Sequence, residues 1–197
     1  MSQNKIPEIV ILSECSKEYK VGFELYKAYT GDTNFESPRD IHPTKNMTIG
    51  GKEYKIHFFA IQDSYWPAIS NICRYCDGAV FAIDIEDYTK EGGKGGVEFI
   101  NEWLINLDDL DKDDMKKVIV GITKTEKPRN NNGREDLVKL AEEKNIELYF
   151  ININIKDKNK IEEPFKKVAD LINNVIDNPA KKEDEEMEEY LDKYKNF

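Results

Sequence analysis

Long apolar runs are missing from this sequence. No stretch approaches the roughly 18 consecutive apolar residues that cross a bilayer, so no membrane span is expected. Basic charge is in deficit, with 29 Lys and Arg against 39 Asp and Glu for a net charge of −10. That is the wrong sign for a nucleic-acid backbone or an anionic membrane surface. Cysteine is scarce, with only Cys15, Cys73 and Cys76. An odd count without an apolar leader predicts reduced thiols. Cys73 and Cys76 in "CRYC" have the spacing of half a metal site. The second pair is missing and His42 and His57 lie elsewhere, so no metal site is expected and the thiols should pack as small apolar groups. The segment "MSQNKIPE" lacks a signal core, Ser2 stands where myristoylation needs glycine, and "KYKNF" offers no cysteine to a prenyl group. A cytoplasmic protein without a lipid anchor is the expectation. Glycine, finally, is absent between Leu12 and Gly22, and that gap becomes important below.

The apolar residues that are present alternate between two periodicities. Segments 8–12, 54–61, 79–85, 118–122 and 148–153 are rich in β-branched and aromatic residues. Several are apolar nearly throughout, as strands buried on both faces of a parallel sheet are. Between them, 21–29, 66–76, 97–107, 136–144 and 161–176 carry helical spacing. In 97–107 the inward set is Phe99, Ile100, Trp103, Leu104 and Leu107. In 136–144 it is Leu137, Leu140 and Ala141, and in 161–176 it is Phe165, Val168, Ala169, Leu171, Ile172 and Val175. One departure breaks the alternation: 47–49, a Gly50-Gly51 turn, then 54–61, which predicts a hairpin and one antiparallel strand. "EGGKGG" and "NNNGRE" are expected to be loops.

The expected fold is therefore α/β, with a six-stranded, mostly parallel sheet, one antiparallel strand and helices on both faces. Residues 1–178 form the domain. Residues 179–197 form an acidic tail in which Met187, Tyr190, Leu191 and Tyr194 are spaced as on one face of a helix.

This order of elements, with "YCDGAVFAIDIEDYTKE…FINEWL", "KVIVGITKTE" and "YFININIKDKNKIEEPFKKVADLI" at matching places, resembles the Ras-like small GTPase family over nearly the whole chain. The resemblance implies a three-layer P-loop fold. In that family a glycine-rich loop cradles the phosphates, its lysine neutralises them and a hydroxyl holds Mg²⁺. Here Ser13 falls at the first glycine, Glu18 at the second, Tyr19 at the lysine and Lys20 at the hydroxyl residue. A carboxylate aimed at phosphate is repulsive, and Tyr19 carries no compensating charge. Lys17 or Lys20 is left as the only nearby cation, and nothing is left to hold Mg²⁺.

The D-x-x-G motif after the third strand is also missing from "AIQDSYWPAI". Base recognition is the least altered element. Thr123, Lys124 and Glu126 stand where the family's N-K-x-D lies, with the carboxylate one methylene longer. Asn154 and Lys156 stand in place of the serine and lysine of Ser-Ala-Lys.

The resemblance thus implies a pseudo-GTPase that works as a protein-interaction module, with no catalytic residues, no metal and no required GTP, GDP or Mg²⁺. Its partner surface would lie at 38–47 and 62–69, with Tyr65 and Trp66 as anchors. Cys15-Ser16, Leu25, "MTIGGKEYKIHFFAI" and "LAEEKNIELYFI" also look similar to the alpha- and gamma-adaptin-binding protein family. That similarity implies adaptor-complex subunits as partners and a role in clathrin-coat or vesicle trafficking. Two alternatives stand beside this reading. One is a divergent small GTPase that still binds guanine nucleotide. The other is a flavodoxin-like or receiver-like protein, which would need an acidic cluster at the strand ends.

Overall fold

A computed structural model describes residues 5–14, 21–32, 43–61, 66–85, 96–110, 112, 114–124, 132–155 and 157–177. The acidic segment 179–197 lies outside them. Six strands and five helices follow in the order β1 (Glu8–Glu14), α1 (Val21–Thr30), β2 (Thr44–Ile49), β3 (Lys52–Ile61), α2 (Trp66–Cys73), β4 (Gly78–Asp84), α3 (Gly96–Asp108), β5 (Lys116–Thr123), α4 (Asn132–Glu143), β6 (Glu147–Asn152) and α5 (Lys158–Asp177).

The strands form one sheet in the order β2-β3-β1-β4-β5-β6. Every neighbouring pair is parallel except β2 and β3. The hairpin arises where expected, with Ile49 paired to Lys52 across Gly50 at φ 57° and Gly51 at φ 82°. Two successive left-handed residues make the tight turn that suits a twisted hairpin, and glycine adopts them without a Cβ clash. This order keeps the 2-1-3-4-5 arrangement of flavodoxin-like and receiver-like sheets in its five parallel strands and departs from it by the antiparallel edge strand β2. It is the three-layer arrangement expected from the Ras-like resemblance.

Strand β1 is the centre of the molecule. Ile9, Val10, Ile11 and Leu12 are all fully buried, because alternate side chains enter different cores. Ile9 and Ile11 join α1 and α5 on one face of the sheet, with Phe23, Tyr26, Phe58, Phe165 and Ile172. Val10 and Leu12 join α2, α3 and α4 on the other, with Phe59, Cys73, Phe99, Trp103 and Leu137. The inward residues expected of α3 and α4 are buried, and so are Phe165, Val168, Ala169 and Ile172 of α5. Leu171 and Val175 are only half-buried. Cys73 and Cys76 are buried free thiols, as expected.

Several boundaries differ from the sequence reading for local reasons. Helix α2 stops at Cys73, and a turn closed by Tyr75 N–H to Ile72 O and Cys76 N–H to Cys73 O follows. Helix α5 begins at Lys158 rather than 161, because the Asp157 carboxylate accepts the N–H groups of Asn159 and Lys160 as an N-cap. "NNNGRE" is not wholly a loop, since α4 already includes Asn132 to Glu135. Its first turn is anchored by the Arg134 guanidinium, 4.0 Å from the centre of the Phe150 ring. Gly96 of "EGGKGG" likewise opens α3.

Candidate functional site

In an open parallel sheet, ligands collect at the carboxyl ends of the strands, where successive connections leave in opposite directions. Here that place lies beyond the ends of β1 and β4, with the ends of β5 and β6 beside it. The chain that leaves β1 returns as α1, which packs across β1, β4 and β3.

Ser13 is the penultimate residue of β1 and is 2% exposed. Its side chain is directed at the first turn of α1. A Cβ built on Gly22 would lie 2.2 Å from Ser13 Cβ and 2.5 Å from Ser13 Oγ. The Ser13 side chain is thus accommodated by the absence of one at position 22. A helix-interior glycine is a visible signal in a sequence, but its partner across the turn is not. Glu18, Tyr19 and Lys20 lie outside the described residues.

The segments that the resemblance assigns to base recognition do come together. Thr123 ends β5 and is buried, and its carbonyl accepts the N–H of Ile153 at 3.0 Å, which extends the β5–β6 pairing by one step. Asn152 folds its own carboxamide back, its Oδ1 accepting Asn154 N–H at 3.0 Å. That local turn aims the Asn154 side chain across the gap, where Nδ2 donates to the Lys124 carbonyl at 2.6 Å. Lys124 itself reaches α1, with Nζ 3.8 Å from Glu24 Oε2. The lysine that the resemblance assigns to the face of a base is therefore satisfied by a carboxylate of the same chain. Glu24 was not foreseen, because a lone acid on an amphipathic helix reads as part of the solvated face. Glu126 and Lys156 lie outside the described residues, as does Tyr65. Trp66 opens α2, but its side chain is not among those described.

Beside this corner a cleft of about 570 Å³ opens between α1 and the start of α5. Glu24, Lys27 and Ala28 form one wall, and Ile153, Asn154 and Lys158 form the other. Its volume falls in the range of small-molecule sites, and its charge is mixed. The floor of the α1–α5 contact is the stack of Tyr29 on Phe165, with ring centres 3.6 Å apart and planes within 2°. Burial, with Glu162 nearby, keeps the Tyr29 hydroxyl above its ordinary range.

No helix among the described residues is long and apolar enough to cross a membrane. No protein-family model matches the chain, and no curated protein matches it in sequence.

Proposed function

We propose that the chain is a pseudo-GTPase: a Ras-like scaffold used for protein recognition, without conventional GTP hydrolysis, acting in the cytoplasm as an accessory factor of adaptor complexes in vesicle traffic. The observation that carries this reading is the self-closure of the base-recognition corner. Lys124 is paired with Glu24, and the Asn154 amide is given to the Lys124 carbonyl. A nucleotide entering there would meet a carboxylate beside the lysine and an amide already given to a backbone carbonyl, although the exposed ion pair itself contributes no more than about 1 kcal/mol. The sequence after β1 supports the same reading, because Glu18 sets a repulsive carboxylate, and Tyr19 no cation, where a triphosphate would need neutralising. Recognition then falls to the segments at 38–47 and 62–69, with Tyr65 and Trp66 as aromatic anchors of the kind that dominate interface energetics.

The cleft beside Asn154 favours a second reading, in which guanine nucleotide is held weakly without being hydrolysed. One titration separates the two. A ligand at 100 times its dissociation constant adds about 2.7 kcal/mol of stability. Thermal unfolding of the full chain with GTP, GDP or ATP and Mg²⁺ is therefore expected to be unchanged, and a rise specific to guanine nucleotide would establish the second reading. The partner is tested with purified alpha- and gamma-adaptin subunits. Capture by the wild-type chain is expected, with a loss of about tenfold or more in Trp66→Ala or Tyr65→Ala. Absence of binding to either adaptin would remove the adaptor assignment.

A further inference from the structure

At the opposite end of the sheet from this corner, the second core contains a polar group of unusual composition. Glu8 opens β1, His57 lies in β3, and Cys76 immediately precedes the residue that leads into β4. Glu8, Val10 and Leu12 share one face of β1, and His57 and Phe59 share the same face of β3. The turn after α2 swings Cys76 beneath them, held by Asp77 N–H to Glu8 O at 2.7 Å and by Glu8 N–H to Asp77 Oδ2 at 2.9 Å. The start of β1, the middle of β3 and the turn before β4 thus deliver a carboxylate, an imidazole and a thiol to one point. Their ligand atoms all lie within 4.8 Å of one another.

We propose that Glu8, His57 and Cys76 form a binding site for a divalent transition-metal ion, with zinc as the ion whose ligand preferences fit best. Zinc takes sulfur, imidazole nitrogen and carboxylate oxygen together, at about 2.3, 2.0 and 2.1 Å. In a tetrahedral site those lengths separate the donors by about 3.3–3.8 Å. The cluster is already near this size, and an ion enters it by parting the contact between His57 Nε2 and Glu8 Oε2, now 2.7 Å.

The surroundings suit the ion as well. His57 Nδ1 lies 3.3 Å from Thr44 Oγ1, so with the metal on Nε2 the Nδ1–H has an acceptor. This is the outer contact that fixes the tautomer and orientation of a ligating histidine. The side chain of His57 is 8% exposed and that of Glu8 19%, and Cys76 is fully buried. The ion would therefore be shielded on most sides and reached past Glu8. One carboxylate and one thiolate balance the dication. The thiol proton leaves to solvent as the ion binds. Three protein donors leave a fourth position for water or an external ligand, the pattern of zinc sites that are not purely structural. The charges facing the cluster are Lys55, 3.9 Å from the other oxygen of Glu8, Asp77, and Lys112, which lies near both thiols.

The test uses the reduced, chelator-treated full chain titrated with CoCl₂ and then ZnCl₂. One equivalent of Co²⁺ is expected to produce a near-ultraviolet thiolate-to-metal absorption band, and Zn²⁺ should displace it. Cys76→Ser should abolish the band, and Glu8→Gln and His57→Gln should each weaken binding by at least about tenfold. Thr44→Ala, which keeps all three donors, should weaken it by about tenfold. Thr44→Ala also guards against misfolding, since circular dichroism can establish that this mild variant retains the native fold. The proposal is overturned if the folded wild-type chain gives no thiolate band. It is equally overturned if the band survives in Cys76→Ser, which would assign the metal to Cys15 or Cys73.

Discussion

Replacing Gly22 with alanine is expected to destabilise the protein by about 3 kcal/mol, at the upper end of the range for overpacking. On helix propensity alone the same change, in the first turn of α1, should be mildly stabilising, by less than about 1 kcal/mol, so the sign of the result is decisive. The new methyl would meet Ser13 Cβ at 2.2 Å and Ser13 Oγ at 2.5 Å, and neither atom is the flexible end of a long side chain. To escape, α1 must lift off β1, which opens the core around Phe23 and Phe58. The double variant Ser13→Gly/Gly22→Ala removes both clashing atoms and leaves the Phe58 ring edge, 3.2 Å away, as the nearest obstacle. It is expected to recover most of the loss, a coupling of about 2 kcal/mol between the two positions. Urea denaturation of the wild type, both single variants and the double variant measures this cycle. Additive effects would show that the two residues are not in contact.

The second large effect is expected at Phe165, where alanine should cost about 4 kcal/mol. Phe165 is fully buried, stacked face to face on Tyr29, and central to the core shared by α1, α5 and the sheet. Its removal leaves a large cavity and frees Tyr29 of its partner at once. For a chain of this size the loss corresponds to a fall of about 10 °C in the unfolding temperature. Phe165→Leu keeps most of the volume and should cost about 1.5 kcal/mol. If the two variants unfold at the same temperature, the aromatic stack rather than the filled volume is what matters.

The fold was largely legible because its signals are local and repeated. Near-continuous apolar segments such as "AVFAIDI" and "VIVGI" mark strands covered on both faces. The spacing of Phe99, Ile100, Trp103, Leu104 and Leu107 could hardly serve anything but a helix facing one side. The Gly50-Gly51 turn gave away the antiparallel strand. Boundaries were less legible where a tertiary contact or a cap overrides composition. Arg134 on Phe150 holds an asparagine- and glycine-rich stretch helical, and Asp157 starts α5 one turn early.

The site was legible in part. Thr123, Lys124 and Asn154 were singled out by their places in the chain, and they do meet. Glu24 closes the corner from a helix far away in sequence, and nothing in its neighbourhood marks it. The same holds for Glu8, His57 and Cys76, which come from three separate segments. Pairings of this kind are set by the order of strands, and a one-dimensional pattern carries no record of them.

The position of α5 has a consequence for the order in which the protein can be completed during synthesis. Strand β1 leaves the ribosome first, but its partners β3 and β4 lie about 47 and 69 residues downstream in register, Ile9 meeting Ile56 and Gly78. The face of the sheet that α1 shares with α5 is completed later still, when Phe165, Val168, Ala169 and Ile172 are added over β4 and β5. The α2–α3–α4 face draws its residues from positions 10 to 141 and can be assembled earlier. A nascent chain halted before α5 would therefore present one finished side and a bare apolar surface over β4 and β5, around Val80, Val118 and Val120. Helix α5 is thus the last piece needed to close the core, and truncation before Lys158 would leave that surface to water.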